Sequence, residues 1–263
     1  MILKISDGIE LFYETYGEKR NTPIVLVHGL GAEHNMWLPQ ISKYPSQSLF
    51  VIAPDMRGHG NSSKVKSFKI RDCAKDINEL LEHLGITKAN LVGVSMGGLI
   101  AQQFACDFPE RVGKLVIVDS FSEVRTFAEK FAGWMQWLTI KVAPGLLSKS
   151  LGSAYKGPDK AQALRYFQEA YSKMDKEQLL YSRAEVNRFN IIARLGEIKT
   201  PTLVLVGDGF GDFAINMAKK TANAIKGSQF KILKGGCDPS NLVVPDVFDN
   251  VVLDFIKTTG EKQ

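Results

Sequence analysis

Ser95 stands in a run of small residues, Gly93-Val94-Ser95-Met96-Gly97-Gly98, which follows an apolar segment and precedes a helical pattern that ends at Pro109. A strand that turns sharply into a helix crowds its own backbone, and glycine on either side of the tip relieves the crowding. The side chain at the tip is then exposed, and the helix N-terminus stabilises negative charge beside it. The run predicts a nucleophilic serine hydroxyl above a sheet. The alternative is an ordinary strand-to-helix turn.

Three other polar runs also follow short apolar segments. They are His28-Gly29-Leu30-Gly31, the segment from Asp55 to Ser62 with the sequence DMRGHGNS, and Gly207-Asp208. Together with the run around Ser95, they resemble the oxyanion loop, a core loop, the acid-bearing loop and the nucleophile elbow of the α/β-hydrolase fold family. The resemblance extends over nearly the whole chain.

This resemblance implies a role for each matching residue. Ser95 would be the nucleophile, and the backbone N–H groups of Leu30 and Met96 would form the oxyanion hole. Asp208 lies in the loop that usually bears the catalytic acid. His28 and His59 match positions that mainly hold loops by hydrogen bonds, so we expect both to be structural.

The expected triad histidine is missing. The family places it in a turn after the last strand, and the matching stretch here is Gly235-Gly236-Cys237-Asp238-Pro239, with Cys237 in its place. A thiol, with an ordinary pKa near 8.5, is a poorer base at neutral pH than an imidazole, with an ordinary pKa near 6.5. The resemblance therefore implies impaired or altered base catalysis. Asp238 and His34 are the other candidates for the base.

The position of the catalytic acid also departs from the family's pattern, because Phe210 occupies the place where the family usually has the acid in this loop. Asp208 and Asp212 flank that position. Asp119, after another apolar segment, is a third candidate because some family members take the acid from that strand. The choice among the three carboxylates stays open at the level of sequence.

The elements that must position these residues form an α/β pattern. Residues 2–16 alternate around Asp7-Gly8, which predicts an antiparallel hairpin. Later apolar segments alternate with helical patterns, which predicts a mostly parallel central sheet with helices on both faces. The predicted strand segments are residues 24–27, 49–53, 91–94, 115–118, 203–206 and 229–233.

The strand pattern stops after Asp119 and resumes after Pro201. Residues 121–195 are predicted to form an inserted helical cap, and residues 1–120 and 196–263 the α/β-hydrolase core. Phe131, Trp134 and Trp137 are expected to pack the cap onto the core, with the lining of a ligand pocket as the alternative.

Composition and charge exclude several classes of protein. The net charge of +5 arises entirely from residues 121–200, which hold 13 basic and 8 acidic residues. This segment favours acidic ligands modestly, but no basic block indicates a nucleic-acid partner. No apolar run has the 18 or more residues of a membrane span. Three cysteines without CxxC spacing, Cys73, Cys106 and Cys237, indicate free thiols and a cytoplasmic protein.

The predicted function is hydrolysis of a small carboxylic ester, thioester or lactone through Ser95. We expect a small-molecule substrate, no metal and no organic cofactor, because hydrolysis needs only water and the GxGxxG dinucleotide pattern is missing. The alternative is a catalytically degenerate α/β-hydrolase fold that serves as a ligand-binding or regulatory protein.

Overall fold

The computed structural model describes residues 1–143, 155, 157 and 160–258 of the chain. In this part of the chain, eight strands form one sheet in the order β1-β2-β4-β3-β5-β6-β7-β8. The strands are β1 (Ile2–Lys4), β2 (Glu10–Tyr16), β3 (Thr22–Val27), β4 (Leu49–Pro54), β5 (Ala89–Val94), β6 (Val112–Val118), β7 (Thr202–Gly207) and β8 (Gln229–Leu233).

Strands β1 and β2 make antiparallel pairs, and the strands from β3 to β8 are parallel to one another. Strand β1 pairs with β2 so that Ile2 faces Phe12, and β2 then pairs antiparallel with β4. From β4 through β8 every neighbouring pair is parallel. The hairpin and the mostly parallel sheet predicted from the sequence are confirmed.

Helices cover both faces of the sheet. They are α1 (Leu38–Lys43), α2 (Ile70–His83), α3 (Met96–Asp107), α4 (Phe127–Val142), α5 (Ala161–Lys173), α6 (Lys176–Val186), α7 (Gly211–Ala224), α8 (Ser240–Val243) and α9 (Pro245–Lys257). Because successive side chains of a strand point to opposite faces, β3 contributes to two hydrophobic cores. Ile24 and Leu26 pack in the core that contains Phe248 of α9, whereas Val25 and Val27 pack in the core that contains Leu99 of α3.

Helices α4, α5 and α6 lie between β6 and β7, within the segment predicted to be a cap. Helix α4 begins with a capping box, in which Thr126 and Glu129 satisfy each other's backbone N–H groups. Residues 144–154, 156, 158 and 159 of this segment lie outside the described residues. The boundaries of the cap at residues 121 and 195 stay predictions.

Two of the three aromatic side chains that were expected to pack α4 onto the core are exposed, whereas Trp137 is partly buried. Phe131 is 51% exposed and Trp134 is 50% exposed, so neither packs the cap onto the core. Both rings project from a helix on which only Gly133 and Ile140 are buried. The sequence pattern shows that this helix is apolar but does not show which of its faces meets the core.

The carboxyl ends of the parallel strands meet at one edge of the sheet. This topology brings together the loops that follow β3, β5, β6, β7 and β8. These loops contain Leu30, Ser95, Asp119, Asp208, Cys237 and Asp238. Ligand sites of open α/β sheets lie at this edge. None of the described helices has the length and apolar character needed to cross a membrane.

Candidate active site

Ser95 occupies a strained turn between β5 and α3. Its φ of 56° and ψ of −119° lie in a region of backbone conformation that residues other than glycine rarely adopt. A Cβ atom at Gly93 would lie 2.1 Å from the carbonyl oxygen of Gly97, and one at Gly97 would lie 2.1 Å from that of Val27. The glycines on both sides of Ser95 are therefore required by close backbone contacts.

Two backbone amides beside Ser95 are available to a ligand. Leu30 and Met96 line a cavity together with Ser95, and Met96 is the first residue of α3, where helical N–H groups have no internal partner. Neither N–H donates a hydrogen bond to any residue that the structure describes. A Cβ atom at Gly29 would lie 3.3 Å from the Cβ atom of Ser95, so the loop after β3 lies close to the serine.

Ser95 lies where two cavities meet. The larger has a volume of about 450 Å³ and extends between α4 and α7, past Val124, Phe213 and Met217. The smaller has a volume of about 180 Å³ and reaches Met36 and Ile140. The residues that line both cavities are Leu30, Ser95, Gln136, Arg183 and Asp238.

Asp238, in the loop after β8, is the titratable group beside Ser95. Burial and the neighbouring Asp119 carboxylate raise the pKa of Asp238 to about 7, while the Ser95 hydroxyl and the Arg183 guanidinium act in the opposite direction. The backbone carbonyl of Asp238 accepts a hydrogen bond from the Tyr155 hydroxyl at 2.5 Å. This hydrogen bond anchors the backbone at Asp238, whose side chain lines both cavities.

Asp119 is a second carboxyl group in the same place. One of its oxygens accepts the N–H of Gly207 at 2.8 Å, and the other accepts the N–H of Ser240 at 2.7 Å. Burial raises the pKa of Asp119, although these two hydrogen bonds oppose the shift. Asp119 therefore connects the loops after β6, β7 and β8 and places negative charge next to Asp238.

The structure places Cys237 and Asp208 away from the walls of both cavities. Cys237 is 2% exposed and packs in the hydrophobic core, and burial raises the pKa of its thiol. Asp208 accepts the N–H of Gly235 at 2.7 Å and so holds the loop after β8. Asp212 lies in α7 and is also outside the cavity walls. The catalytic roles predicted for Cys237 and Asp208 stay predictions.

His28 and His59 hold loops, as the resemblance implied. The Nδ1 atom of His28 donates to the Gly29 carbonyl at 2.8 Å, and its Nε2 atom accepts the N–H of Met56 at 2.9 Å. The Nδ1 atom of His59 donates to the Arg57 carbonyl at 3.1 Å. Burial lowers the pKa of both histidines, that of His59 to about 3, so both imidazoles are neutral.

His34, the other histidine considered as a base, lines neither cavity. Its Nδ1 atom and its backbone N–H both lie within hydrogen-bond distance of one Asp55 oxygen, at 2.8 and 2.7 Å. Glu33, His34 and Asp55 place possible metal-ligand atoms within 4.8 Å of one another. The second Asp55 oxygen accepts the N–H of Asn61 at 2.8 Å, so hydrogen bonds between loops account for this arrangement.

The residues that the segment between β6 and β7 contributes to the cavities were not identified from the sequence. Arg183 and Gln136 line both cavities, and the Nε atom of Arg183 donates to the Asn187 side-chain oxygen at 2.8 Å. The only signal in the sequence was the excess of basic residues in the segment 121–200. That signal did not distinguish Arg183 from the other basic residues of the segment.

Comparisons with known proteins agree with this fold. The sequence profile of the α/β hydrolase fold matches residues 22–242, and the chain belongs to this family. The predicted family and the predicted hydrolase activity are confirmed, and the serine mechanism stays a prediction.

Several similar proteins match this chain over nearly the whole length of both chains. The chain is 27% identical to a putative carbamate hydrolase RutD of Variovorax paradoxus strain S110, over 94% of this chain and 96% of the relative. It is 25% identical to 3-oxoadipate enol-lactonase 1 of Acinetobacter baylyi, over 95% of this chain and 94% of the relative. The crystal structure of the enol-lactonase from Burkholderia xenovorans LB400 has a TM-score of 0.87 and 24% identity, covering 98% of this chain and all of that one.

Proposed function

We propose that this protein is a serine hydrolase that cleaves a small carboxylic ester, thioester or lactone, with Ser95 as the nucleophile. The observation that carries the proposal is the strained turn that presents Ser95 where two cavities meet, beside the Leu30 and Met96 amides. A lactonase and a putative carbamate hydrolase among the relatives support hydrolysis at a carbonyl carbon.

In the proposed reaction, the Ser95 oxygen attacks the substrate carbonyl carbon and gives up its proton. The carbonyl oxygen becomes an oxyanion, which accepts hydrogen bonds from the N–H groups of Leu30 and Met96. Preorganised donors of this kind contribute about 3 to 4 kcal/mol each to transition-state stabilisation. Collapse of the intermediate releases the alcohol or thiol and leaves an acyl group on Ser95, which water then hydrolyses.

Asp238 is the group that we propose as the general base. A carboxylate with an ordinary pKa near 4 is a weak base, but a pKa of about 7 matches the proton affinity that general bases need at neutral pH. Asp238 takes the Ser95 proton and passes it to the leaving oxygen or sulfur. In the second half of the reaction it takes a proton from water and returns it to Ser95. Asp119 keeps Asp238 basic through its neighbouring charge.

Cys237 and Asp208 remain the sequence-based alternatives for the base and the acid. The raised pKa of the Cys237 thiol leaves little thiolate at neutral pH, and a neutral thiol is a weak proton acceptor. Asp208 uses one carboxylate oxygen to hold Gly235, and Cys237 packs in the core. The cavity geometry therefore favours Asp238 over Cys237 as the base.

The nucleophile is tested with a fluorophosphonate probe and a panel of short p-nitrophenyl esters. We expect the parent protein to be labelled and to turn the esters over, and Ser95→Ala to lose both properties. Ser42→Ala, an exposed serine on α1, is the matched control and should behave as the parent does. Labelling of Ser95→Ala at the parent rate would contradict the assignment of the nucleophile.

A ligand-binding protein without catalysis is the second candidate. The observation that favours it is that no histidine occurs among the described residues on the walls of the two cavities. In the same experiment, a parent protein that is neither labelled nor active would support this candidate and overturn the hydrolase proposal.

A further inference from the structure

Tyr155, Tyr166 and Phe167, in the segment between β6 and β7, form one aromatic cluster. The rings of Tyr155 and Phe167 are stacked, with their centroids 5.6 Å apart and their planes at 8°. Tyr166 meets the same Phe167 ring edge-on, with a centroid distance of 5.2 Å and planes at 74°. Tyr155 and Phe167 are buried, and Tyr166 is half-buried. Because a tyrosine side chain has only two torsions and these rings are packed, the positions of their hydroxyl groups are well defined.

The Tyr166 hydroxyl holds the loop after β3. It accepts the N–H of Glu33 at 2.9 Å and donates to the carbonyl oxygen of the same residue at 3.3 Å. The other end of this loop is held within the core, where His28 donates to the Gly29 carbonyl at 2.8 Å. Leu30 lies between these two anchors. The position of its N–H group therefore depends on the core at one end and on α5 at the other.

The Tyr155 hydroxyl holds the loop after β8. It donates to the backbone carbonyl of Asp238 at 2.5 Å. On either side of this residue, the N–H groups of Gly235 and Ser240 donate to carboxylates in the loops after β7 and β6. The Tyr155 bond acts between these two core anchors, at the residue whose side chain lines both cavities beside Ser95. The place of the Asp238 carboxyl group therefore depends on Tyr155.

We propose that Tyr155 and Tyr166 are positioning residues of the hydrolytic reaction. Tyr166 sets the place of the Leu30 N–H group, and Tyr155 sets the place of the Asp238 carboxyl group. Catalytic groups must lie within about 0.5 Å of the productive geometry to act on the same carbonyl. The ring of Phe167 contacts both tyrosines and so fixes one hydroxyl relative to the other. This inference rests on the proposed hydrolase function and assigns to it two residues from the segment between β6 and β7.

Tyr166→Phe tests the hold on the oxyanion donor, because it removes the hydroxyl and keeps the ring. On a short p-nitrophenyl ester, kcat should fall about 10-fold and KM should change less than about 2-fold, since a misplaced donor costs transition-state stabilisation alone. Tyr166 lines neither cavity, so it does not contact the bound ester. Inhibition by phenylboronic acid, which forms a tetrahedral adduct with an active serine, should also weaken about 10-fold. An inhibition constant does not depend on the fraction of folded protein.

Tyr155→Phe should change the pH profile. Burial is the largest cause of the raised pKa of Asp238, the Asp119 carboxylate acts in the same direction, and the Ser95 hydroxyl and the Arg183 guanidinium oppose it. Without the Tyr155 bond the loop shifts and water reaches the carboxyl group, so its pKa falls toward the ordinary value near 4. The rise of kcat/KM should move to lower pH by at least about half a unit, and the level above it should fall about 10-fold.

Tyr181 supplies the matched control. It is a tyrosine of α6 whose hydroxyl donates to Glu177 on the same helix. Tyr181→Phe should keep the kcat, the inhibition constant and the pH profile of the parent, and Tyr166→Phe should keep the midpoint of the pH profile. If a phenylalanine variant does not fold, Phe167→Leu replaces it. This change removes the ring that both tyrosines contact, so it should weaken boronate inhibition and shift the pH profile in one protein.

Two kinetic outcomes would overturn the positioning roles and leave the hydrolase intact. The first is an active parent whose inhibition constant and pH profile are unchanged in Tyr166→Phe and Tyr155→Phe. The second is a lower kcat in these variants with the same inhibition constant and pH profile, which would mean that the hydroxyl groups serve stability alone.

Hydrogen–deuterium exchange tests the same loops without catalysis. Tyr166→Phe should speed exchange in residues 29–36, and Tyr155→Phe in residues 234–242, each by about 3- to 10-fold, because one hydrogen bond is lost in each case. These changes in a parent without turnover would support the hold on both loops and refute the hydrolase. Unchanged exchange in both loops would refute the positioning roles.

Discussion

Two clusters of titratable side chains lie near the carboxyl edge of the sheet, and they differ in what they contact. The histidine cluster consists of His28, His34 and His59 around Asp55, and its members bond to backbone groups and to one another. The carboxyl cluster consists of Asp119 and Asp238, both on the wall of the cavity that contains Ser95. Histidine, the usual general base for a serine nucleophile, thus holds loops in this protein, and carboxyl groups lie beside Ser95.

Burial acts on the two clusters in opposite ways. It lowers the pKa of His28 and His59 because a charged imidazole is poorly solvated there, which keeps them neutral hydrogen-bonding groups. It raises the pKa of Asp119 and Asp238 because a carboxylate is poorly solvated there. The same cause thus removes His28 and His59 from proton transfer at neutral pH and brings Asp238 into the range where transfer is useful.

The largest expected effect is on kcat/KM, and it distinguishes Asp238 from Cys237 as the general base. Asp238→Asn keeps the shape of the side chain but removes the base, so kcat/KM should fall by about 10²- to 10⁴-fold. Cys237→Ser should change kcat/KM by less than about 3-fold. Steady-state kinetics on a short p-nitrophenyl ester measure both values. The reverse pattern would move the base to Cys237.

A change in the histidine cluster should affect stability rather than chemistry. His28→Ala leaves the Met56 N–H without its acceptor and removes a buried ring, so the free energy of unfolding should fall by about 2 to 4 kcal/mol. Urea denaturation measures this change. The folded fraction should retain the pH dependence of the parent, and a lost or shifted profile would place His28 in the reaction.

The pH dependence should follow the carboxyl cluster. We expect kcat/KM to rise through pH 7 and to level off above it, because protonated Asp238 cannot accept the Ser95 proton. Asp119→Asn removes a charge that raises the pKa of Asp238, so the rise should move to lower pH. Profiles of the parent and the variant from pH 5 to 9 measure the shift, and thermal melting checks the fold of the variant. Identical profiles would argue against the coupling.

The smallest expected effect is on stability at alkaline pH. Because the folded state raises the pKa of Asp238, it holds that proton more tightly than the unfolded chain does. The contribution of Asp238 to stability is therefore complete below about pH 4 and is lost as pH rises through about 7. Asp238→Asn escapes this loss, so at pH 8 it should be more stable than the parent. Urea denaturation at pH 4 and pH 8 should show the gain only at pH 8.

The sequence by itself determined the parallel sheet, the turn at Ser95 and the loop that carries Leu30. These features depend on local patterns, namely apolar runs of strand length and glycines where a side chain would contact nearby backbone. Gly93 illustrates the point, because the Cβ clash that explains it involves the carbonyl oxygen of Gly97 in the same turn. Local geometry of this kind leaves few choices of residue, so it can be predicted from the chain alone.

Only the tertiary structure decided which side chains meet Ser95. The sequence named Asp238 as one of several candidate bases and did not single out Arg183. Their positions depend on how the loop after β8 turns and on how α6 packs against α4 at Gly133. The exposure of Phe131 and Trp134 was likewise beyond the sequence pattern. The physical reason is that convergence of distant loops and helices is fixed by packing between elements, which the periodicity within each element does not specify.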